Sequence, residues 1–234
     1  MKYITLTLFD IGTKNLAVYS EEANVDILMK LRKKYISLPK YLKRRVKGKM
    51  NDEIDNILER IYKSSRATHM DTTDLVPGVK NPDYTKDVRM KLIEFLEERR
   101  NLWTKSDVIV LEQQYFCSFT QKGNKGKGTE ANVKAIKAAE GIYMWFLINY
   151  PDKEIEYFGS IYKTQMLGAP DSLTKSQRKK WSDEKAKEIA KIRGDEVMEQ
   201  YYESFKKKKK KTDDGSDACT MGQAYKFRRF VADF

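Results

Sequence analysis

Tyr3-Ile4-Thr5-Leu6-Thr7-Leu8-Phe9-Asp10-Ile11-Gly12 is the stretch on which the fold turns. Short, β-branched and aromatic, residues 2–9 read as a buried strand ended by Gly12. A carboxylate closing such a strand is costly unless a cation or hydrogen bonds neutralise it. The same pattern recurs at Val108-Ile109-Val110-Leu111-Glu112. Two further acids, Asp214 and Asp217, stand three apart just after the lysine run Lys206–Lys211. At that spacing they share one face of a helix.

The whole chain has 234 residues and 40% apolar content, enough for one core, and is read as a single domain, 1–234. Its net charge of +12 favours a polyanionic partner such as a nucleic-acid backbone. No apolar stretch reaches the roughly 18 residues needed to span a bilayer, and no signal peptide is read at the N-terminus, so no membrane partner is expected. Two cysteines, Cys117 and Cys219, point to an intracellular, reducing compartment rather than a disulfide framework. With His69 the one histidine, a His/Cys zinc site is excluded as the basis of any chemistry.

Working outward, Leu16–Tyr19 reads as the hairpin partner of the first strand. Residues 21–85 read as a basic insertion, with a helix at Asp52–Lys63, a loop around Asp71–Asp83 and a third core strand expected near 25–38. Helical spacing of Val88, Leu92, Phe95, Leu96 and Leu102 runs to about Trp103, ahead of the strand 107–112. Gln121–Gly128 is a Gly/Lys-rich loop. Thr129 can cap a helix over 130–149, stopped by Pro151. A strand over 155–162, a charged helix from Ser182 to about 203 and a last helix over 213–230 complete the pass. The order implies an α/β fold with a mixed sheet.

Carboxylates from separate elements that converge on one point suit hard divalent cations such as Mg²⁺ or Mn²⁺. Two such ions can activate water and stabilise the leaving oxygen in phosphodiester hydrolysis. Each feature also has a plainer reading. Asp-x-Gly after a strand is commonly a turn, a glutamate ending a strand can be a solvated edge, and Asp-Asp-x-x-Asp can cap a helix. Their joint order and context favour a shared site of Asp10, Glu112, Asp214 and Asp217, with Asp213 on another face as a cap or supporting group.

Phe9-Asp10-Ile11-Gly12-Thr13-Lys14-Asn15-Leu16-Ala17 resembles the first motif of RuvC-like Holliday-junction resolvases of the poxvirus and mitochondrial branch. Leu111-Glu112-Gln113-Gln114 resembles their second motif, and Lys211-Thr212-Asp213-Asp214-Gly215-Ser216-Asp217-Ala218 their last. The resemblance covers about 1–20 and 86–230. It implies a ribonuclease H-like fold with a mixed five-stranded sheet flanked by helices, a homodimer, and Mg²⁺ or Mn²⁺, two per site. It also implies symmetric nicking of four-way junctions without a nucleotide cofactor. Asp10, Glu112, Asp214 and Asp217 would be the metal ligands, and the branch suggests a viral origin.

The family also places basic residues before its last motif, at the scissile phosphate. Lys180 is favoured here, then Lys163, with Lys185 third; each could equally be a solvated charge. DNA contacts are expected at Lys14, Gln113 and Gln114 beside the first two motifs, and at Lys122, Lys125 and Lys127 in the Gly/Lys loop. Lys179, Lys208 and Lys210 complete that set. Phe116 and Phe119 could wedge between opened bases or pack inside the protein. Arg32–Lys49, with Tyr35 and Tyr41, could follow a DNA arm or lie solvated. Dimerisation is expected through Ile142, Met144, Trp145 and Phe146. Three alternatives stay open: another ribonuclease H-like nuclease acting on other branched or transposon DNA, a branched-DNA binder without catalysis, and an actin/hexokinase-type ATPase. The last would need a second Asp-x-Gly-x-Gly-type turn, which the sequence lacks.

Overall fold

A computed structural model describes residues 1–12, 15–45, 49–79, 86–114, 130–207 and 212–232. Strands β1 (Tyr3–Ile11), β2 (Asn15–Asn24) and β3 (Ser65–Asp74) form an antiparallel meander. β4 (Val108–Gln113) joins β1 in parallel, and β5 (Glu154–Gly159) joins β4 in parallel. The sheet order is β3-β2-β1-β4-β5. This is the expected α/β class, a mixed five-stranded sheet flanked by helices.

Strand alternation sorts the core into two layers. Phe9, Ile11, Ile109 and Leu111 point to one face, where α3 (Lys86–Glu98), α4 (Arg100–Lys105) and α5 (Glu130–Asn149) bury Phe95, Trp103 and Phe146. Leu6, Leu8, Val108 and Val110 point to the other. There lie α1 (Val25–Ser37), α2 (Asp52–Lys63), α7 (Lys175–Arg193), α8 (Glu196–Lys207) and α9 (Asp213–Lys226). Asp10 and Glu112 continue the second series, so their side chains emerge on the face covered by α9.

Several boundaries differ from the sequence reading. The third strand is not near 25–38: that segment is α1, capped by Asn24, whose side chain accepts from the Ile27 amide at 3.1 Å. Leu28, Leu31 and Tyr35 bury at helical spacing there, behind a dense run of lysines. β3 instead occupies 65–74, including part of the expected loop at Asp71–Asp83. It is the sheet's edge strand, half exposed and polar (Ser-Arg-Ala-Thr-His-Met-Asp-Thr-Thr-Asp), so it lacks an apolar run. The segment between β2 and β3 holds α1, α2 and their connection, all within the stretch 21–85.

The strand expected over 155–162 stops at Gly159, and Ser160–Met166 is a short helix, α6. Ser182 caps nothing. It is buried inside α7, 3.3 Å from the Thr220 hydroxyl, while Thr174 and Gln177 form the capping box eight residues earlier. Gly194, left-handed at φ 59°, ends α7, so the charged helix expected to run to 203 is two helices. α9 passes into a π-helical turn, Phe227–Ala232. The expected dimer residues are also reassigned: Ile142, Trp145 and Phe146 belong to the protein's own core, and the exposed apolar side chains of α5 are Met144, Leu147 and Ile148.

No helix among the described residues is long and apolar enough to cross a membrane. Cys219 is buried as a free thiol.

Candidate active site

β1 and β4 lie side by side with Phe9 opposite Leu111, so the next residues on each strand, Asp10 and Glu112, emerge together. Glu112 in turn lies opposite Phe158 on β5, whose end leads through Gly159 into α6. That short helix carries Lys163 back over the strand ends. α9 packs across β1 and β2 and supplies Asp217 from its second turn.

The result is three carboxylates around one ammonium. Nζ of Lys163 lies 3.1 Å from Asp217, 3.3 Å from Glu112 and 3.8 Å from Asp10. All four residues are buried. Burial pushes the Asp10 carboxyl well above its usual range, and the charge of Glu112 beside it adds to the rise. Burial also pushes Glu112 upward, but the Lys163 ammonium and hydrogen bonds from Asp10, Lys163 and Gln114 outweigh it and hold Glu112 low. Burial disfavours charge on Lys163, yet Glu112, Asp217 and Asp10 together hold it protonated above the normal lysine range. One ammonium facing three acids leaves an excess of negative charge, which Asp10 registers.

Asp214 sits at the rim. It accepts a hydrogen bond from Nδ2 of Asn15 at 3.0 Å and lies 3.3 Å from Nζ of Lys179. Lys179 also bonds Asp213 at 2.8 Å, so Asp213 supports the lysine rather than capping α9. Burial disfavours the charge on Lys179, but the hydrogen bond to Asp213 and the charge of Asp214 raise its proton affinity. Two glycines let the loops come this close. A Cβ on Gly12 would press on the Asn15 carbonyl oxygen, which accepts the Gly12 amide at 3.0 Å. One on Gly215 would overlap the Tyr201 hydroxyl.

The structure brings Asp10, Glu112 and Asp217 together with Lys163, and places Asp214 beside them. It does not bring Lys180 there: that side chain is 78% exposed, 3.7 Å from Glu184 one turn along α7. Lys185 pairs with Glu188 at 2.7 Å. Gln114, expected to face DNA, bonds Glu112 at 2.9 Å and the Ile11 carbonyl at 3.3 Å, bracing the carboxylate. Gln113 is exposed at the end of β4. Lys14, Lys122, Lys125, Lys127, Lys208, Lys210, Phe116, Phe119 and the Thr129 cap lie outside the described residues. Sequence reasoning missed Asn15 and Tyr201. Asn15 was within the quoted first motif, whereas nothing local to Tyr201 marks it.

The donors fit a hard divalent cation: every candidate ligand is a carboxylate, and the cluster already surrounds a cation with charge to spare. As placed, no three acidic, histidine or cysteine side chains among the described residues share a position for one ion. The Lys163 ammonium stands between them.

No protein-family model matches the chain. An uncharacterized protein, 97L, of Invertebrate iridescent virus 3 is 30% identical over 139 residues, which span 59% of this chain and 57% of that protein. Among solved structures, Thermus thermophilus RuvC in complex with Holliday junction substrate aligns over 97% of this chain and 96% of its own, at 10% identity and TM-score 0.47. The yeast mitochondrial Holliday junction resolvase aligns over 98% and 83%, at 14% identity and TM-score 0.48. Scores and identities this low leave the chemistry to be read from the site's own residues.

Proposed function

We propose that the chain is a metal-dependent, structure-selective DNA endonuclease that resolves four-way junctions by paired symmetric nicks. The observation that carries this reading is the convergence of Asp10, Glu112 and Asp217, from two strands and a helix, on one buried cation within 3.1–3.8 Å. Their order along the chain and the motifs around them resemble the RuvC-like resolvases, and a net charge of +12 suits a DNA substrate. The viral relative makes a viral origin the fitting one.

Mg²⁺ or Mn²⁺ held by Asp10, Glu112, Asp217 and Asp214 would supply an activated water and stabilise the leaving oxygen. The chain's own residues do the rest. Gln114 fixes the Glu112 carboxylate, while Asn15 and Lys179 fix Asp214. Lys163, held protonated at the centre, is the residue to neutralise the scissile phosphate as its charge develops. The exposed apolar side chains of α5, Met144, Leu147 and Ile148, are the surface offered for a homodimer. Two such sites related by a two-fold axis suit symmetric nicks across a junction.

A second reading has its own support. Lys163 already fills the space between the carboxylates, as it would in a protein that grips branched DNA without cutting it.

Incubating the protein with a synthetic four-way junction and a matched duplex, with and without Mg²⁺, separates these readings. Paired nicks in the junction alone, dependent on Mg²⁺, are expected. Asp10→Asn and Asp217→Asn should abolish them while junction binding survives, and Lys163→Ala should lose more than about tenfold in turnover against little for Lys180→Ala. Junction binding with no nicking under any metal would establish the non-catalytic reading. Equal cutting of duplex would point to another kind of nuclease.

A further inference from the structure

On another flank of α6, a cavity of about 330 Å³ opens between the α1–α2 segment, this helix and the π-helical turn. Its walls include Tyr35 and Phe227, packed edge to face with ring centres 5.4 Å apart, and Tyr162. Among the described residues its cations are Lys43, Arg45 and Arg228, and no acidic one lines it. Arg45 is engaged, bonding the Ala169 carbonyl and lying 3.3 Å from Asp171. Lys43 and Arg228 are not matched in this way. Nζ of Lys43 sits 4.8 Å from the Tyr35 ring centre and donates to the Ile36 carbonyl at 3.0 Å. The Arg228 guanidinium lies over Tyr162 at 4.5 Å. Neither has a carboxylate partner among the described residues.

Two half-buried cations without counter-ions, set on aromatic walls, suit a ligand that is anionic at one end and flat and apolar at the other. We propose that this cavity holds one unstacked nucleotide of single-stranded DNA, its base against the aromatic wall and its phosphate between Lys43 and Arg228. Sequence-tolerant binding of single strands combines these same two elements, stacking platforms and a cationic track. The volume lies within the roughly 300–1,000 Å³ usual for ligand sites. Exposed Lys40 and Arg44 flank Lys43 on the same connection, so a strand continuing beyond the captured nucleotide still meets positive charge. Tyr162 precedes Lys163 on α6, which places the cavity within about one helix width, roughly 10–12 Å, of the carboxylates. The inference rests on the nuclease reading in that the strand captured is one opened at the cut site.

A short oligothymidylate carrying one 5-iododeoxyuridine, irradiated with the whole protein, tests the proposal. Cross-links are expected at Tyr35 or Tyr162. Lys43→Glu/Arg228→Glu, and the milder Lys43→Ser/Arg228→Ser, should weaken oligothymidylate binding by more than about tenfold, whereas Lys180→Glu should not. Cross-links confined to other segments, with affinity unchanged in both double variants, would overturn it. So would thymidine monophosphate competing as well as the oligonucleotide, because that marks a mononucleotide site. The nuclease reading fails separately: a wild-type protein that captures the oligonucleotide but never nicks a junction loses that reading and keeps this one.

Discussion

Nζ of Lys163 lies 3.1 Å from Oδ2 of Asp217, with the two side chains only 11% and 9% exposed. The pair joins a helix that follows β5 to one that crosses β1, over the ends of the two strands bearing Asp10 and Glu112. A buried ion pair of this kind is weak support for stability, because desolvation offsets much of the attraction. Its position among three acids is better understood as charge neutralisation at a site with anionic excess.

Replacing that ammonium therefore gives the first prediction. Lys163→Met leaves three carboxylates buried around an apolar side chain, and the loss of a buried partner costs on the order of 3–5 kcal/mol. Unfolding of the variant should occur at a lower temperature than wild type without metal. Added Mg²⁺ should raise the variant's melting temperature more than it raises that of wild type, because at a given concentration a ligand stabilises the folded state more the more tightly it binds. An equal Mg²⁺ shift in both proteins would mean that the carboxylates do not share a cation position.

Close packing behind Asp214 and Asp217 gives the second. Gly215 lies against the ring of Tyr201, whose hydroxyl is 2.9 Å from the Thr72 hydroxyl on β3. Gly215→Ala forces α8 and α9 apart at the turn that carries both acids. Overpacking of this kind costs about 1–3 kcal/mol, and junction nicking should fall with it. Combining Gly215→Ala with Tyr201→Leu should recover part of the nicking. If the double variant is no better than Gly215→Ala alone, the clash is not what constrains the site.

The strand ends were legible because each couples an apolar run to one misplaced acid, and alternation along β1 and β4 then sets both acids on one face. The last motif was legible because Asp214 and Asp217 stand three apart within one helix. Lys163 carries no such mark. The aromatic stretch Ile155–Tyr162 reads as a strand throughout, whereas Gly159 ends the strand and a helical turn aims the lysine inward. Lys180 competes with it in the sequence because sequence alone does not tell which flank of a highly charged helix faces the site. β3 escaped notice for a different reason: an edge strand with one half-exposed face needs no apolar run. Neither Asn15's bond to Asp214 nor Tyr201's contact with Gly215 shows in a local pattern, since the first joins the two ends of the chain and the second joins one helix to the next.

Beneath the same helix, Glu21 is fully buried with Lys226 at 2.9 Å and Arg193 at 3.0 Å, while Gln223 also donates to it. Burial pushes the Glu21 carboxyl upward, but Lys226 and Arg193 outweigh it and hold the group below its usual 4.5. A carboxyl with a depressed folded value contributes stability above its unfolded value and loses it as pH falls. Glu21→Gln takes the carboxylate partner from Lys226 and leaves Arg193 only Asp195, at 3.8 Å, and should cost about 3–5 kcal/mol at neutral pH. That gap should narrow once pH drops below about 4.5, because wild-type Glu21 then takes up a proton on unfolding and, lower still, in the folded protein as well. Denaturant melts of both proteins from neutral pH down to pH ~3 would follow it. A gap that stays constant across that range would show that Glu21 is not the anion on which this buried network depends.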